Sequence, residues 1–220
     1  MNRKASLLLA TLVVTATISS ASRGQTSQSA ISYYNRGKSM LMEGRLDEAI
    51  ADFTVAITFD PRMAVAYNNR GNARCAKGEF REALTDFDRA ISIKPRYCVA
   101  FYNRANARKA LGDLDGAIAD YTQAIKIDPR LALAYNNRGN ALQASGELDS
   151  AASDYDRAIE VDPKLALAYA NRGLLRLLQN RPDEAEKDFL HSIKLDSALS
   201  NWLGSRIQEI KRSLTNPLTH

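Results

Sequence analysis

The chain has 220 residues, of which 45% are hydrophobic and 25% charged, a balance typical of folded proteins that excludes an intrinsically disordered chain. Its formal net charge of +5 is small and is dispersed along the sequence. No basic stripe is interleaved with aromatic residues, so we expect no nucleic-acid partner.

The first 21 residues have the pattern of a secretory signal peptide. Arg3 and Lys4 precede an apolar run that ends at Ile18, and small residues then lead to Ala21. We expect cleavage after Ala21, a flexible linker over residues 22–29, and an exported protein that is periplasmic or secreted and bacterial in origin. An uncleaved leader would instead anchor the chain, and only in that case do we expect contact with a membrane.

Five copies of one short phrase, an aromatic residue followed at the third and fourth places by Asn-Arg, recur every 34 residues. The first copy begins at Tyr33 and the last at Tyr169. An alanine stands 16 residues after each aromatic, a second aromatic four residues further on, and a proline closes four of the five copies. We number each copy from its own position 1, which divides the chain into the units 30–63, 64–97, 98–131, 132–165 and 166–199.

A period of this length with aromatic, small, small, aromatic and proline residues in this order resembles the tetratricopeptide repeat (TPR) family. The resemblance covers residues 30–199 and implies an all-α fold, a right-handed α-solenoid of antiparallel helix pairs. We expect helix A at about positions 1–14 and helix B from two or three residues after position 15 to the closing proline. Position 15 holds residues that tolerate a left-handed turn: Gly44, Gly78, Gly112, Gly146 and Asn180.

A capping helix is expected at residues 200–214, followed by a tail at 215–220. Apolar residues recur here at spacings of three and four, which places them on one face of a helix: Leu199, Leu203, Ile207, Ile210 and Leu214. Trp202 flanks this stripe, whereas Arg206 and Glu209 are expected to face away from it. The helix is expected to cover the apolar end of the stack.

Two charged positions repeat without exception, arginine at position 7 and aspartate at position 23. They lie at equal distances on either side of the turn, so they should face each other across each antiparallel helix pair. We expect structural bridges, within or between units, from Arg36–Asp52, Arg70–Asp86, Arg104–Asp120, Arg138–Asp154 and Arg172–Asp188. The alternative is a row of arginines that lines a groove for an anionic partner.

Position 6 is asparagine in every unit, and positions 5 and 9 add further polar side chains. In TPR proteins this face of helix A lines the concave groove, and in some members an asparagine ladder there holds an extended peptide by its backbone. A carboxamide both donates and accepts, so it pairs with a peptide unit whatever its side chain. The resemblance implies a peptide-binding groove that contains Asn35, Lys38, Asn68, Asn69, Asn72, Asn103, Asn106, Asn136, Asn137, Asn140 and Asn171. The alternative is that these side chains only keep the groove hydrated.

Repeat five is apolar where the middle repeats are polar, through Leu174, Leu177 and Leu178. These leucines are expected either to pack against the capping helix or to form an apolar pocket. Such a pocket would accept a hydrophobic anchor from a partner or serve self-association.

Groups that carry chemistry are sparse. His191 and His220 lie near the end of the chain, and no Ser–His–Asp spacing, metal cluster or phosphate-binding loop is present in the sequence. Cys75 and Cys98 fall on parallel helices with an offset of about 16 Å, so we expect two free thiols. We therefore expect no enzyme, cofactor, metal or small-molecule substrate.

The leading hypothesis is a non-enzymatic interaction module that binds an extended peptide or partner segment in its concave groove. Its expected role is the assembly or regulation of an envelope or secreted complex. The alternative is a self-associating structural scaffold that uses the apolar C-terminal end or the convex face. The sequence leaves the oligomeric state open.

Overall fold

The computed structural model describes residues 23–215, with side chains from 26 to 212, and all the regular elements in this part of the chain are α-helices. The expected leader and tail lie outside the described residues, except for the last residue of the final helix. The all-α composition confirms the predicted fold class. The helices are α1 (Arg23–Met42), α2 (Leu46–Phe59), α3 (Ala64–Ala76), α4 (Phe80–Ile93), α5 (Cys98–Ala110), α6 (Leu114–Ile127), α7 (Ala132–Ala144), α8 (Leu148–Val161), α9 (Ala166–Leu178), α10 (Pro182–Leu195) and α11 (Leu199–Thr215).

The helix boundaries follow the 34-residue period. From the second unit on, each helix A begins at position 1 and each helix B at position 17. The turn residue at position 15 has a positive φ in every unit, between 74° and 87° for the four glycines and 57° for Asn180. The left-handed turn predicted from the sequence is therefore present between all paired helices.

The segment before the first repeat differs from the prediction. Residues 22–29 were expected to form a flexible linker, but α1 begins at Arg23 and continues without a break to Met42. The segment contains no proline, and extension of an existing helix adds one hydrogen bond for each residue fixed. The packed part of α1, which starts at the buried Ala30, therefore serves as the nucleus of a longer helix.

The helices form two compact units, which are larger than the repeats: the first unit ends at Leu111 and the second begins at Gly112. In the first unit α1 packs on α2, α2 on α3, α3 on α4 and α4 on α5. In the second unit α6 packs on α7, α7 on α8, α8 on α9, and α9 on both α10 and α11. Within each unit, successive helices thus cover the apolar sides that none of them could bury alone.

Small residues at position 8 allow the helices of a pair to approach closely. A Cβ atom on Gly71 would lie 2.6 Å from Cε1 of Phe87, and one on Gly173 would lie 2.6 Å from Cε1 of Phe189. Both distances are far below van der Waals contact, so the aromatic ring at position 24 occupies the space of the missing side chain. The aromatic rings at position 24 of the first four repeats are fully buried: Phe53, Phe87, Tyr121 and Tyr155.

Helix α11 covers the end of the second unit. Leu203 and Ile210 from α11 are buried in one cluster with Leu174 and Leu177 from α9. The remaining stripe residues, Leu199 and Ile207, are partly buried against the same cluster. The apolar stripe read from the sequence therefore faces the helix stack, as a capping helix requires.

Four of the predicted Arg–Asp bridges are present, each within one repeat. Their shortest nitrogen–oxygen distances are 2.6–2.7 Å: Arg36–Asp52, Arg70–Asp86, Arg138–Asp154 and Arg172–Asp188. Each arginine in these pairs donates through two nitrogen atoms, which fixes the planar guanidinium against the carboxylate. The remaining pair, Arg104 and Asp120, belongs to one repeat but is divided between the two compact units, and for this pair the bridge stays a prediction.

The same arginines also contact helix B of the preceding repeat. Arg70 donates to Thr54 Oγ1 and Arg138 to Thr122 Oγ1, both at 3.0 Å. At the corresponding places Arg104 pairs with Asp88 and Arg172 with Asp156. Apart from Arg36, which has no preceding repeat, the position 7 arginines thus join neighbouring repeats.

Ser192 is a departure from the repeat that the structure leaves uncompensated. Position 27 is a fully buried alanine in the other four repeats. Ser192 is also fully buried, but its hydroxyl has no hydrogen-bond partner among the described residues. We expect Ser192→Ala to raise the free energy of unfolding by about 1 kcal/mol, since a buried hydroxyl without a partner is costly. Urea denaturation measures the change. The reverse substitution one repeat earlier, Ala158→Ser, should lower stability by a similar amount, and a loss of stability in Ser192→Ala would contradict the argument.

Candidate functional site

The asparagines of position 6 form hydrogen bonds between repeats. In the first unit, Nδ2 of Asn69 donates to the Tyr34 hydroxyl at 3.1 Å, and Nδ2 of Asn103 donates to Oδ1 of Asn68 at 3.0 Å. In the second unit, Nδ2 of Asn171 donates to Oδ1 of Asn136 at 2.9 Å. Position 6 of one repeat is thus tied to position 5 of the repeat before it.

Two of the predicted groove residues are not accessible to a ligand. Asn68 and Asn136 are each only 2% exposed, and their amide groups also donate to Asn69 and Asn137 on the same helix. The helical position alone placed them on the groove face. The neighbouring helix A covers them in the folded chain, so their role is to satisfy buried polar groups between repeats.

Other predicted groove residues remain open in the first unit. Asn35 and Lys38 on α1 are exposed, while Asn72 on α3 and Asn106 on α5 are half-buried. Lys109 was not among the predicted groove residues. It lies three residues after Asn106 on the same helix, and burial lowers the pKa of its amine. This unit therefore offers carboxamides and ammonium groups, both suited to the carbonyl and carboxylate oxygens of a peptide.

The second unit contains a cavity of about 490 Å³ between α7, α9 and α11. Carboxamides and apolar side chains share its wall: Asn140 and Gln143 from α7, Asn171, Leu174 and Leu178 from α9, and Trp202 from α11. Positions 6, 9, 12 and 13 of helix A therefore face this open space. Among the predicted groove residues, Asn140 and Asn171 belong to it.

The leucines of repeat five divide between the two roles considered for them. Leu177 is buried against α11, as expected of a residue that packs on the capping helix. Leu178 lines the cavity and remains 36% exposed. Leu174 does both, because it belongs to the buried cluster and also reaches the cavity wall.

Tyr155 fixes the orientation of two cavity carboxamides. Its hydroxyl lies 2.8 Å from Oδ1 of Asn140 and 2.9 Å from Oε1 of Gln143. Both side chains point their oxygen atoms at the tyrosine, whose single hydroxyl proton serves one oxygen at a time. Burial raises the pKa of this hydroxyl. The NH₂ groups of both carboxamides are left to face other partners.

A second space in this unit tests the idea of an arginine-lined anion groove. It has a volume of about 510 Å³ and is lined by Arg138 together with Asp149 and Asp154. The hydrogen bond with Asp154 raises the pKa of Arg138, so the guanidinium stays charged and is already paired. Two carboxylates beside one paired arginine do not favour an anion, and the arginines here serve structure.

Reactive groups do not cluster in the described part of the chain. Cys75 and Cys98 are free and half-buried, and burial raises the pKa of the Cys75 thiol to about 11. The His191 ring packs against the Tyr169 ring, with ring centres 4.2 Å apart and a tilt of 36° between their planes. Over residues 23–215 there is no group of three acidic, histidine or cysteine side chains that could hold a metal ion, and no helix has the length and apolar character needed to cross a membrane.

Comparison with protein-family models gives matches over most of the repeats. A model described as tetratricopeptide repeat matches residues 64–97 and 132–165, a second with the same description matches 154–187, and one described as TPR repeat matches 105–146. Together these ranges span more than half of the chain. The chain belongs to the tetratricopeptide repeat family. The comparison with curated protein sequences gave no match.

Solved TPR structures share the fold. A TPR protein from Parabacteroides merdae has 21% identity and a TM-score of 0.73, over 86% of this chain and 74% of that one. YrrB, described as a TPR protein with an unusual peptide-binding site, has 23% identity and a TM-score of 0.65, over 82% and 92%. The first TPR of Spaghetti (RPAP3), bound to the HSP90 peptide SRMEEVD, has 30% identity and a TM-score of 0.54, over 55% and 95%.

The TPR pattern alone did not reveal the contribution of α11 to the site. Arg206 and Glu209 were expected to face away from the stack, yet both line the cavity beside Trp202. The spacing of 202, 206 and 209 is itself a helical stripe, next to the apolar stripe that packs on the repeats. That second stripe was the available signal.

Proposed function

We propose that this TPR protein is a non-enzymatic interaction module, exported from a bacterial cell, that binds an extended segment of a partner protein on the polar face of its A helices. Its proposed role is to assemble or regulate a complex of the cell envelope. The observation that carries the proposal is the set of carboxamides at positions 6, 9 and 12, with Asn140, Gln143 and Asn171 around an open cavity. Carboxamides recognise peptide units in any sequence, which suits a groove for a main chain.

Two structural neighbours support a peptide as the ligand class. The Spaghetti TPR was solved with an HSP90 peptide, and YrrB is described by its peptide-binding site. A clamp for chaperone C-terminal carboxylates is not proposed here, because only the asparagines and Lys38 match that pattern and position 5 supplies no lysine. The ligand class proposed is the extended main chain of a protein segment.

The self-associating scaffold has less support from the described residues. Its apolar C-terminal end would need the leucines of repeat five to be open, but Leu174 and Leu177 are buried against Leu203 and Ile210. The interaction module is therefore the function we propose.

Site-specific photo-crosslinking tests the proposed binding face. A benzoylphenylalanine placed at Asn72 or at Asn140 should capture a partner from a bacterial envelope fraction. The same group at Gln123 on α6 or Glu186 on α10, both exposed on B helices, serves as the control. Equal capture from both sets would contradict a binding face on the A helices, and adducts of two copies of the chain would favour the scaffold.

A further inference from the structure

We propose that the cavity between α7, α9 and α11 is a specificity pocket that takes one large, uncharged apolar side chain of the bound segment, while Asn140 and Gln143 hold an adjoining main-chain carbonyl. The inference rests on the proposed function, since it assigns a sequence preference to that binding face. Its volume of about 490 Å³ lies within the range of ligand sites, roughly 300–1,000 Å³.

One wall of the cavity is apolar and incompletely covered. Leu178 is 36% exposed and Trp202 is 40% exposed, although α11 buries its apolar stripe, which is adjacent to Trp202 on the helix. Both residues line the cavity, next to the buried Leu174. A leucine or phenylalanine side chain that entered would remove this apolar surface from water.

Helix α7 contributes hydrogen-bond donors to the cavity lining. Because the oxygen atoms of Asn140 and Gln143 face the Tyr155 hydroxyl, Nδ2 and Nε2 point elsewhere, and neither has a partner among the residues that the structure describes. Two neighbouring amide donors without acceptors call for an oxygen atom of the ligand. A peptide carbonyl supplies it without adding charge.

The charges at the cavity rim cancel. Nη1 of Arg206 and Oε2 of Glu209 are paired at 2.5 Å, and both residues line the cavity. An anionic ligand would be attracted by Arg206 but repelled by Glu209, and a cationic ligand would be attracted by Glu209 but repelled by Arg206. An uncharged side chain with flanking peptide groups therefore matches this wall, and a free carboxylate does not.

The only tryptophan of the chain, Trp202, reports directly on occupancy of the pocket. The full chain is titrated with the blocked tripeptide acetyl-Ala-Leu-Ala-amide while the tryptophan emission is followed. A saturable change is expected, with at least tenfold weaker binding of acetyl-Ala-Gly-Ala-amide. Equal responses to the two tripeptides, or no saturable response to either, would overturn the proposal.

Variants locate the response. Leu178→Asn should abolish the response to the leucine tripeptide, whereas Leu190→Asn, a 63% exposed leucine on α10 that does not line the cavity, should leave it unchanged. Gln143→Ala should weaken binding about fivefold, the effect of one lost hydrogen bond. Retained binding in Leu178→Asn would overturn the apolar pocket.

A third tripeptide, acetyl-Ala-Leu-Ala with a free carboxylate, separates main-chain recognition from recognition of an anion. It should bind no more tightly than the amide, and binding of the free acid alone would overturn the inference. The failure of this pocket and of the proposed function are distinguishable, because crosslinks restricted to Asn72 and Asn140 would persist if only the side-chain preference were wrong.

Discussion

Replacement of Asp86 by asparagine is expected to lower the free energy of unfolding by about 3–5 kcal/mol, the cost of breaking a buried ion pair by removing one partner. The Asp86 side chain is only 2% exposed and accepts from Arg70 at 2.6 Å and from Arg74 at 2.7 Å. Both guanidinium groups are themselves largely covered. Asparagine keeps the size of the side chain but leaves two positive charges without a counterion.

The first repeat provides a matched control. Asp52 occupies the same position and pairs with Arg36 at 2.6 Å, but the Arg36 side chain is 57% exposed because no repeat precedes it. Water can therefore solvate Arg36 once its partner is lost, and Asp52→Asn should cost about 1 kcal/mol or less. Urea denaturation followed by far-UV circular dichroism compares the two variants. Equal losses of stability would show that neither the burial of Arg70 nor the second arginine, Arg74, strengthens the bridge of Asp86.

The period of the sequence predicted the helix boundaries because each boundary depends on local chemistry. A glycine or asparagine that tolerates a positive φ ends helix A, and a proline two residues beyond helix B prevents its continuation. The partners of the arginine ladder were predictable for the same reason, since symmetry about the turn determines which positions face each other. These features need no knowledge of how one repeat packs on the next.

The residues that were misassigned depend on that packing. Asn68 appeared equivalent to a groove residue because helical periodicity gives the direction of a side chain but not what covers it. The neighbouring helix A brings Nδ2 of Asn103 to 3.0 Å from Oδ1 of Asn68. As a result the Asn68 side chain is buried and the Asn103 side chain is half-buried. Trp202 was placed beside the apolar stripe but not assigned to the site, since the sequence pattern does not show whether a neighbouring helix covers it.

Replacement of Leu203 by alanine is expected to detach α11 before the rest of the second unit unfolds. Leu203 is 1% exposed in a cluster with Leu174, Leu177 and Ile210, and truncation of such a leucine costs about 2–5 kcal/mol. In a stack of repeats each element is stabilised by its neighbours, and α11 packs chiefly on α9 and α10. The loss therefore falls on α11 itself.

Two probes separate this local event from global unfolding. Trp202 adjoins Leu203, so its emission follows the detachment of α11, whereas far-UV circular dichroism follows all helices. In Leu203→Ala the tryptophan transition should occur at a lower urea concentration than the circular dichroism transition. Leu190→Ala is the control, because a 63% exposed leucine on α10 should change stability by less than about 0.5 kcal/mol. Coincident transitions in Leu203→Ala would mean that α11 unfolds only with the repeats, and the capping helix would then be an integral part of the cooperative unit.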